Sequence, residues 1–99
     1  MVTITALLRA KPGHGDEMLA ALRRVAAHVQ AEEPGTRGFH VCRDLADPLA
    51  FTTFERFVDG NAMNHHNATA AVRFVEEAAA WIEGDVTLLT GEEMAAVAK

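Results

Sequence analysis

The sequence lacks the features of disulfide-linked proteins and of membrane-spanning proteins. Its 99 residues include one cysteine, three prolines, one tryptophan and no tyrosine. A single cysteine, Cys42, excludes an internal disulfide framework and fits a reducing compartment. No apolar run approaches the roughly 18 residues that a membrane span needs, and residues 1–11 lack the basic start of a signal peptide. We therefore expect a cytoplasmic protein with no membrane partner, folded as one domain over residues 1–99 with a tail over residues 91–99.

Positive charge is scarce too. Nine Lys and Arg residues face 14 Asp and Glu residues, which gives a net charge of −5, and no basic stripe stands out. Because phosphate binding needs clustered Lys and Arg, nucleic acid is not an expected partner. Glycine-rich nucleotide motifs, a CxxC pair and the HExxH zinc motif are also missing. The sequence therefore predicts no cofactor and no bound metal.

Apolar residues follow the two periodicities of regular structure. Alternation predicts strands over residues 2–10, 38–44, 49–57 and 85–90. A spacing of three and four residues predicts helices over residues 17–33 and 69–84, and a shorter helix is expected over residues 63–67. The order β-α-β-β-α-β is the ferredoxin-like α+β plan. Right-handed crossovers then place the helices on one face of a four-stranded antiparallel sheet.

The second face of this sheet is left uncovered in such a plan. Strand alternation assigns to it three residues of the first strand and three of the third: Thr3, Thr5, Leu7, Thr52, Phe54 and Arg56. Hydrophobic residues make up 49% of the chain, although a domain of this size has only a modest core of its own. A half-apolar, uncovered face is suited to a second copy, so we expect a homodimer.

Three stretches resemble a known family. They are RAKPGHGDEM, EEPGTRGFHVCRDLADPLAFTTFERFVD and NAMNHHNA, and in this order they are similar to the antibiotic biosynthesis monooxygenase superfamily, in particular its small bacterial quinol monooxygenase-like members. The resemblance implies a dimeric α+β barrel that oxygenates a quinol-like or polyphenolic aromatic substrate with dioxygen, without metal or flavin. Such a reaction is chemically reasonable because an ionised polyphenol can itself give an electron to dioxygen. It needs a base, a dry pocket and donors for the phenolate.

Two adjacent histidines lie in the last of these stretches. The family's E-R-W reads Glu55-Arg56-Phe57 here, and the family's helical histidine falls on His66. Neighbouring residues of a helix point about 100° apart, so His65 and His66 cannot both line one pocket. We predict that His66 faces the cavity as the base, since histidine titrates near neutral pH. A capping or surface histidine is the alternative.

Glu55 is the carboxylate of interest. By strand alternation it shares a face with Phe51, Thr53 and Phe57. If that face looks toward the helices, Glu55 is buried and needs a partner, because an unpaired buried carboxylate is costly. It then orients a histidine or a donor at the catalytic site. The alternative is a structural salt bridge with Arg73.

Further side chains complete the predicted site. Asn64 and Asn67 are candidates to hold an oxyanion or a water, with helix-end capping as the alternative. Five aromatic residues are predicted to bind the small aromatic substrate, with a plain core role as their alternative: Phe39, Phe51, Phe57, Phe74 and Trp81.

Other functions fit parts of the pattern. Heme-degrading members of the superfamily have an asparagine and a tryptophan where this chain has Ala6 and Phe57, which argues against heme. An isomerase or lyase of a small oxo-acid and a non-catalytic ligand-binding dimer remain open. His40 and Cys42 share a strand face as zinc ligands would, but two ligands make no site.

Overall fold

Seven regular elements form the chain, and a computed structural model describes all of residues 1–99. The strands and helices are β1 (Val2–Arg9), α1 (Gly15–Glu32), β2 (Thr36–Arg43), β3 (Ala50–Phe57), α2 (Gly60–Ala68), α3 (Ala70–Ala78) and β4 (Thr87–Glu92). None of these helices combines the length and the apolarity needed to cross a bilayer.

The strands pair into one antiparallel sheet in the order β2-β3-β1-β4. Ile4 of β1 lies opposite Glu55 of β3 on one side and opposite Thr90 of β4 on the other. The predicted ferredoxin-like α+β fold is therefore confirmed, with β1 and β3 at the centre of the sheet. Both central strands present every second residue to the helices.

The core lies between the sheet and α1. Ile4, Ala6 and Leu8 are buried on β1, while the residues between them are not. Met18 and Leu22 of α1 are buried against this row. A buried side chain of this size contributes about 1.5–3 kcal/mol relative to an exposed one, so the alternation on β1 fixes which sheet face carries the helices.

Several boundaries differ from those predicted. The expected helix over residues 69–84 ends at Ala78. Its N-cap residue, Thr69, makes no side-chain cap, and the Thr69 hydroxyl donates to the His65 carbonyl at 2.7 Å. The last strand begins at Thr87 and runs to Glu92, into the expected tail. Pairing with β1 sets this register, and the Glu93 amide continues it by donating to the Met1 carbonyl at 2.9 Å.

The uncovered face carries the residues that strand alternation assigned to it. Leu7 is 54% exposed, Phe54 41% and Leu89, on β4, 67%. Arg56 also lies on this face, where its guanidinium donates to both carboxylate oxygens of Glu93 at 2.8 Å. Hydrophobic side chains therefore lie exposed across the centre and one edge of the sheet.

Candidate functional site

The short helix α2 presents one of the two adjacent histidines to the sheet. The Asp59 carboxylate accepts a hydrogen bond from the Ala62 amide at 2.8 Å and caps the helix start. With the helix fixed in this way, His66 is only 3% exposed, while His65 points to solvent. This is the orientation expected from their 100° separation.

Two buried carboxylates hold the His66 ring from opposite sides. Nδ1 of His66 lies 2.9 Å from Oε1 of Glu33, at the end of α1. Nε2 lies 3.1 Å from Oε1 of Glu55, on β3. All three side chains are almost completely buried. We call Glu33, His66 and Glu55 the buried array.

Two hydroxyl groups support the array. The Thr36 hydroxyl donates to Oε1 of Glu33 at 2.8 Å, and the Thr53 hydroxyl donates to Oε2 of Glu55 at 2.7 Å. These bonds fix both carboxylates and compensate part of their lost hydration. Oε2 of Glu33 receives no hydrogen bond from the protein. It lies 3.5 Å from Nε2 of His28, whose side chain is 23% exposed.

The electrostatics favour a positively charged His66. Burial by itself would lower the pKa of His66, but the hydrogen bonds to Glu55 and Glu33 and their negative charges outweigh it, so this pKa lies above its ordinary value. A ring whose two nitrogens both face carboxylates donates from both of them, and only the imidazolium can do so. The buried array is therefore an ion triplet in which one cation lies between two anions.

Two aromatic rings pack against the histidine. The ring centroids of Phe39 and Phe57 lie 5.7 Å and 5.4 Å from that of His66, both tilted by about 50° from its plane. Phe57 is fully buried. These rings exclude water from the array, which strengthens the attraction between its charges.

A cavity of about 160 Å³ lies beside the array, between the sheet and the helices. Its four polar lining residues are Thr53, Glu55, His66 and Asn67. The other eleven are hydrophobic: Ile4, Ala6, Leu8, Leu22, Val25, Phe39, Ala71, Phe74, Val75, Val86 and Leu88. An apolar chamber with a few convergent polar groups is the usual form of a small-molecule site.

The structure brings only some of the predicted site residues to this cavity. His66, Glu55, Phe39 and Phe74 line it, and Phe57 packs behind His66. Glu55 pairs with His66 and not with Arg73.

Three predicted residues lie elsewhere. Asn64 is exposed on α2, because two helical steps turn it about 200° away from His66. Phe51 is buried in the core around Met18, and Trp81 packs on the edge of that core after α3. None of the three lines the cavity. Phe51 lies on the predicted inner face of β3 but farther along the strand than Thr53 and Glu55, and Trp81 lies beyond the end of α3.

Sequence reasoning missed one residue that the structure brings to the site. Glu33 is the C-cap residue directly after α1, in the segment Glu32-Glu33-Pro34. An acidic residue before a proline is expected on the surface, yet Glu33 is buried. Asn67 lines the cavity in place of Asn64.

Two other features lie outside this site. A broader groove of about 580 Å³ includes Cys42 and two arginines in its lining, but Arg9 and Arg43 are already paired with Asp47 and Asp16. His40 and Cys42 are both exposed, and no group of three or more His, Cys, Asp or Glu side chains is arranged to hold a metal ion.

The chain is similar to known proteins over most of its length. The family model described as antibiotic biosynthesis monooxygenase matches residues 1–78, which include the whole buried array. The Bacillus subtilis (strain 168) protein named "Putative monooxygenase YcnE" is 29% identical over 70 residues, or 71% of this chain and 73% of that protein.

Solved structures share the fold. A crystal structure of PA3566 from Pseudomonas aeruginosa is 25% identical, with a TM-score of 0.84 over 95% of this chain and 94% of that one. A structure from Deinococcus radiodurans, described as a putative antibiotic biosynthesis monooxygenase, is 22% identical. Its TM-score is 0.87 over 100% of this chain and 98% of that one.

Proposed function

Because the chain belongs to the antibiotic biosynthesis monooxygenase family, we propose that it is a cofactor-independent monooxygenase that acts on a quinol-like or polyphenolic aromatic substrate. The observation that carries this proposal is the buried carboxylate of Glu55 at the wall of an apolar cavity, held by His66 and Thr53. A base and a water-poor chamber are what oxygenation of a phenol requires.

Glu55, and not His66, is the base in this proposal. Both nitrogens of His66 face carboxylates and carry protons, so the ring has no free lone pair for a substrate proton. Glu55 lines the cavity and has acceptor positions beyond those used by His66 and Thr53. The His66 ring holds the Glu55 carboxylate at the cavity wall, and Glu33 fixes the ring from behind.

The proposed reaction balances with dioxygen as the only oxidant. Glu55 takes the proton of the substrate hydroxyl, and the phenolate gives one electron to dioxygen. The resulting radical pair combines at a ring carbon to form a peroxide, which recovers a proton. Loss of water then leaves a carbonyl on the ring. One oxygen atom enters the product, the other leaves as water, and the substrate supplies all the electrons as the phenol becomes a quinone.

The experiment is oxygen uptake by the purified protein with a panel of phenols and quinols, followed by mass spectrometry with ¹⁸O₂. We expect oxygen consumption above the spontaneous rate and one ¹⁸O atom in the product. Product formation without oxygen uptake would instead indicate an isomerase or lyase, and a label that comes from water would contradict the proposed insertion.

A homodimer in the cytoplasm is part of the same proposal. The exposed hydrophobic residues of the uncovered sheet face, among them Leu7 and Phe54, support association with a second copy. Cys42 is free and exposed, which suits a reducing compartment.

A further inference from the structure

The cavity is small for a ligand site. Its volume is about 160 Å³, whereas sites for drug-sized ligands span roughly 300–1,000 Å³. A cavity of roughly 150 Å³ accepts benzene. Phe74 of α3 lines the cavity together with the buried residues Ile4 and Leu22. The enclosed part of the chamber therefore matches one aromatic ring with small substituents.

The polar wall of the cavity offers acceptors to a ligand. The buried donors of this wall are already used, because both nitrogens of His66 face carboxylates and the Thr53 hydroxyl donates to Oε2 of Glu55 at 2.7 Å. The amide of Asn67 is exposed and lies at the mouth. An ionised carboxylate has about four acceptor positions, so Glu55 retains the capacity to accept from a ligand.

The charge of the wall also favours neutral ligands over anionic ones. Two carboxylates and one imidazolium leave the buried array with a net negative charge. An anionic ligand placed against Glu55 would meet this charge in a chamber with little water to screen it. A neutral ligand with a hydroxyl group gains a hydrogen bond to a charged acceptor instead, which is among the stronger kinds.

We propose that the cavity takes a single-ring, uncharged aromatic molecule that donates a hydrogen bond to Glu55, and that it rejects fused-ring and anionic aromatics. This inference rests on the proposed function for its placement of the substrate in this cavity. It narrows the aromatic substrate class to monocyclic phenols and quinols, in their neutral form.

The test is binding to the full chain without oxygen, measured by titration calorimetry at neutral pH. The probes are phenol, 2-naphthol, benzoate and toluene. We expect phenol to bind best and 2-naphthol at least about tenfold more weakly, because overfilling a packed chamber is costly. We expect toluene to bind more weakly than phenol, and benzoate not to bind. Equal or tighter binding of 2-naphthol or of benzoate overturns the inference, and so does absence of phenol binding.

Two variants make the test specific to the chamber. Phe74→Ala enlarges it, so 2-naphthol should then bind at least as tightly as phenol. The matched control is Val72→Ala, an exposed position of the same helix that does not line the cavity, and it should keep the preference for phenol. If Phe74→Ala does not fold, Phe74→Leu is the substitute, because it removes less volume. It should also raise the affinity for 2-naphthol relative to that for phenol. Glu55→Gln removes a negative charge from the wall, so benzoate should bind more tightly to this variant than to the wild type.

The outcomes separate this inference from the proposed function. Binding without oxygen does not depend on turnover, so phenol binding with no oxygen uptake would refute the monooxygenase and leave the ligand class standing. Oxygen uptake with a higher kcat/KM for fused-ring quinols than for single-ring quinols would support the monooxygenase and refute the single-ring ligand class.

Discussion

Oε1 of Glu33 lies 2.9 Å from Nδ1 of His66, with both side chains almost fully buried. The two residues come from the end of α1 and the inner face of α2. The contact matters because a histidine bound by one carboxylate can still act as a base, whereas His66 has a second carboxylate, Glu55, on its other nitrogen. The role of His66 predicted from sequence, as the proton acceptor, therefore passes in our proposal to Glu55.

His66 should be a major contributor to stability. His66→Ala leaves Glu33 and Glu55 facing each other without the cation, and breaking a buried ion pair on one side costs about 3–5 kcal/mol. We expect a loss of that order in the free energy of unfolding, measured by urea denaturation. His65→Ala is the control: its side chain is exposed, and its loss should cost well under about 1 kcal/mol. Equal stability of the two variants would contradict the ion triplet.

Stability should depend on pH through His66. Its pKa is raised in the folded protein, so the stability that its protonation contributes is complete below the unfolded value of about 6.5. This contribution is lost as the pH rises through the folded pKa. Glu33→Gln removes one of the two charges that raise this pKa, so the pKa should fall relative to the wild type. Titration of the His66 ring signals by NMR in both proteins measures the change, and an unaltered or higher pKa in the variant would refute it.

Glu55→Gln should remove most of the oxygenation rate. The amide keeps the size of the side chain, and its one oxygen can still accept from His66 while the Thr53 hydroxyl turns to accept from the amide NH2. The amide cannot take a proton from a phenol. General base assistance is typically worth about 10²–10⁴ in rate, and we expect a loss of kcat in that range, measured by oxygen uptake. Glu76→Gln, at an exposed position of α3, should retain the wild-type rate. Full activity of Glu55→Gln would remove Glu55 from the mechanism.

Gly35 should be needed for the close approach of α2. A Cβ atom at this position would lie 2.7 Å from Cβ of Ala62, so Gly35→Ala must push α2, and His66 with it, away from Glu33. We expect a loss of about 1–3 kcal/mol in the free energy of unfolding, as for other overpacked sites. Gly60→Ala, in the first turn of α2, has open space around the added methyl group. The control should therefore be neutral or slightly stabilising, and a similar loss in both variants would show that packing at Gly35 is not the cause.

Phe54→Asp should separate the proposed dimer. The residue lies at the centre of the uncovered face and is 41% exposed in the single chain, so in a dimer the new charge would be buried without a partner. We expect a monomer by light scattering at micromolar concentrations, where the wild type should be a dimer. Val72→Asp, on α3, should leave the dimer intact. A wild-type protein that is already monomeric would rule out the interface.

The fold could be predicted closely because it depends on local periodicity. Alternation on β1 and β3 identified their inner and outer faces, and the three- and four-residue spacing located α1. The boundaries that differed are those set by tertiary contacts. The register of β4 is fixed by its pairing with β1, and α3 ends at Ala78 although apolar residues continue to Trp81 and Ile82.

The site could be predicted only in part. Helical geometry separated His66 from His65, and strand parity put Glu55 on the inner face. Glu33 had no such signal, because its burial comes from the turn at Pro34 and Gly35, which folds the end of α1 under α2. Parity likewise could not tell Phe39, beside the cavity, from Phe51, farther along the sheet on the same side.

The buried array also constrains how the protein folds. Glu33 and His66 are 33 residues apart in the chain, and Glu55 comes from a third element, so no segment can assemble the triplet alone. Loop-closure entropy must be overcome before these charges attract one another. Until α1, β3 and α2 have docked, each carboxylate is better hydrated by water. The array should therefore form late, on the native side of the folding barrier, and substitutions in it should speed unfolding more than they slow folding.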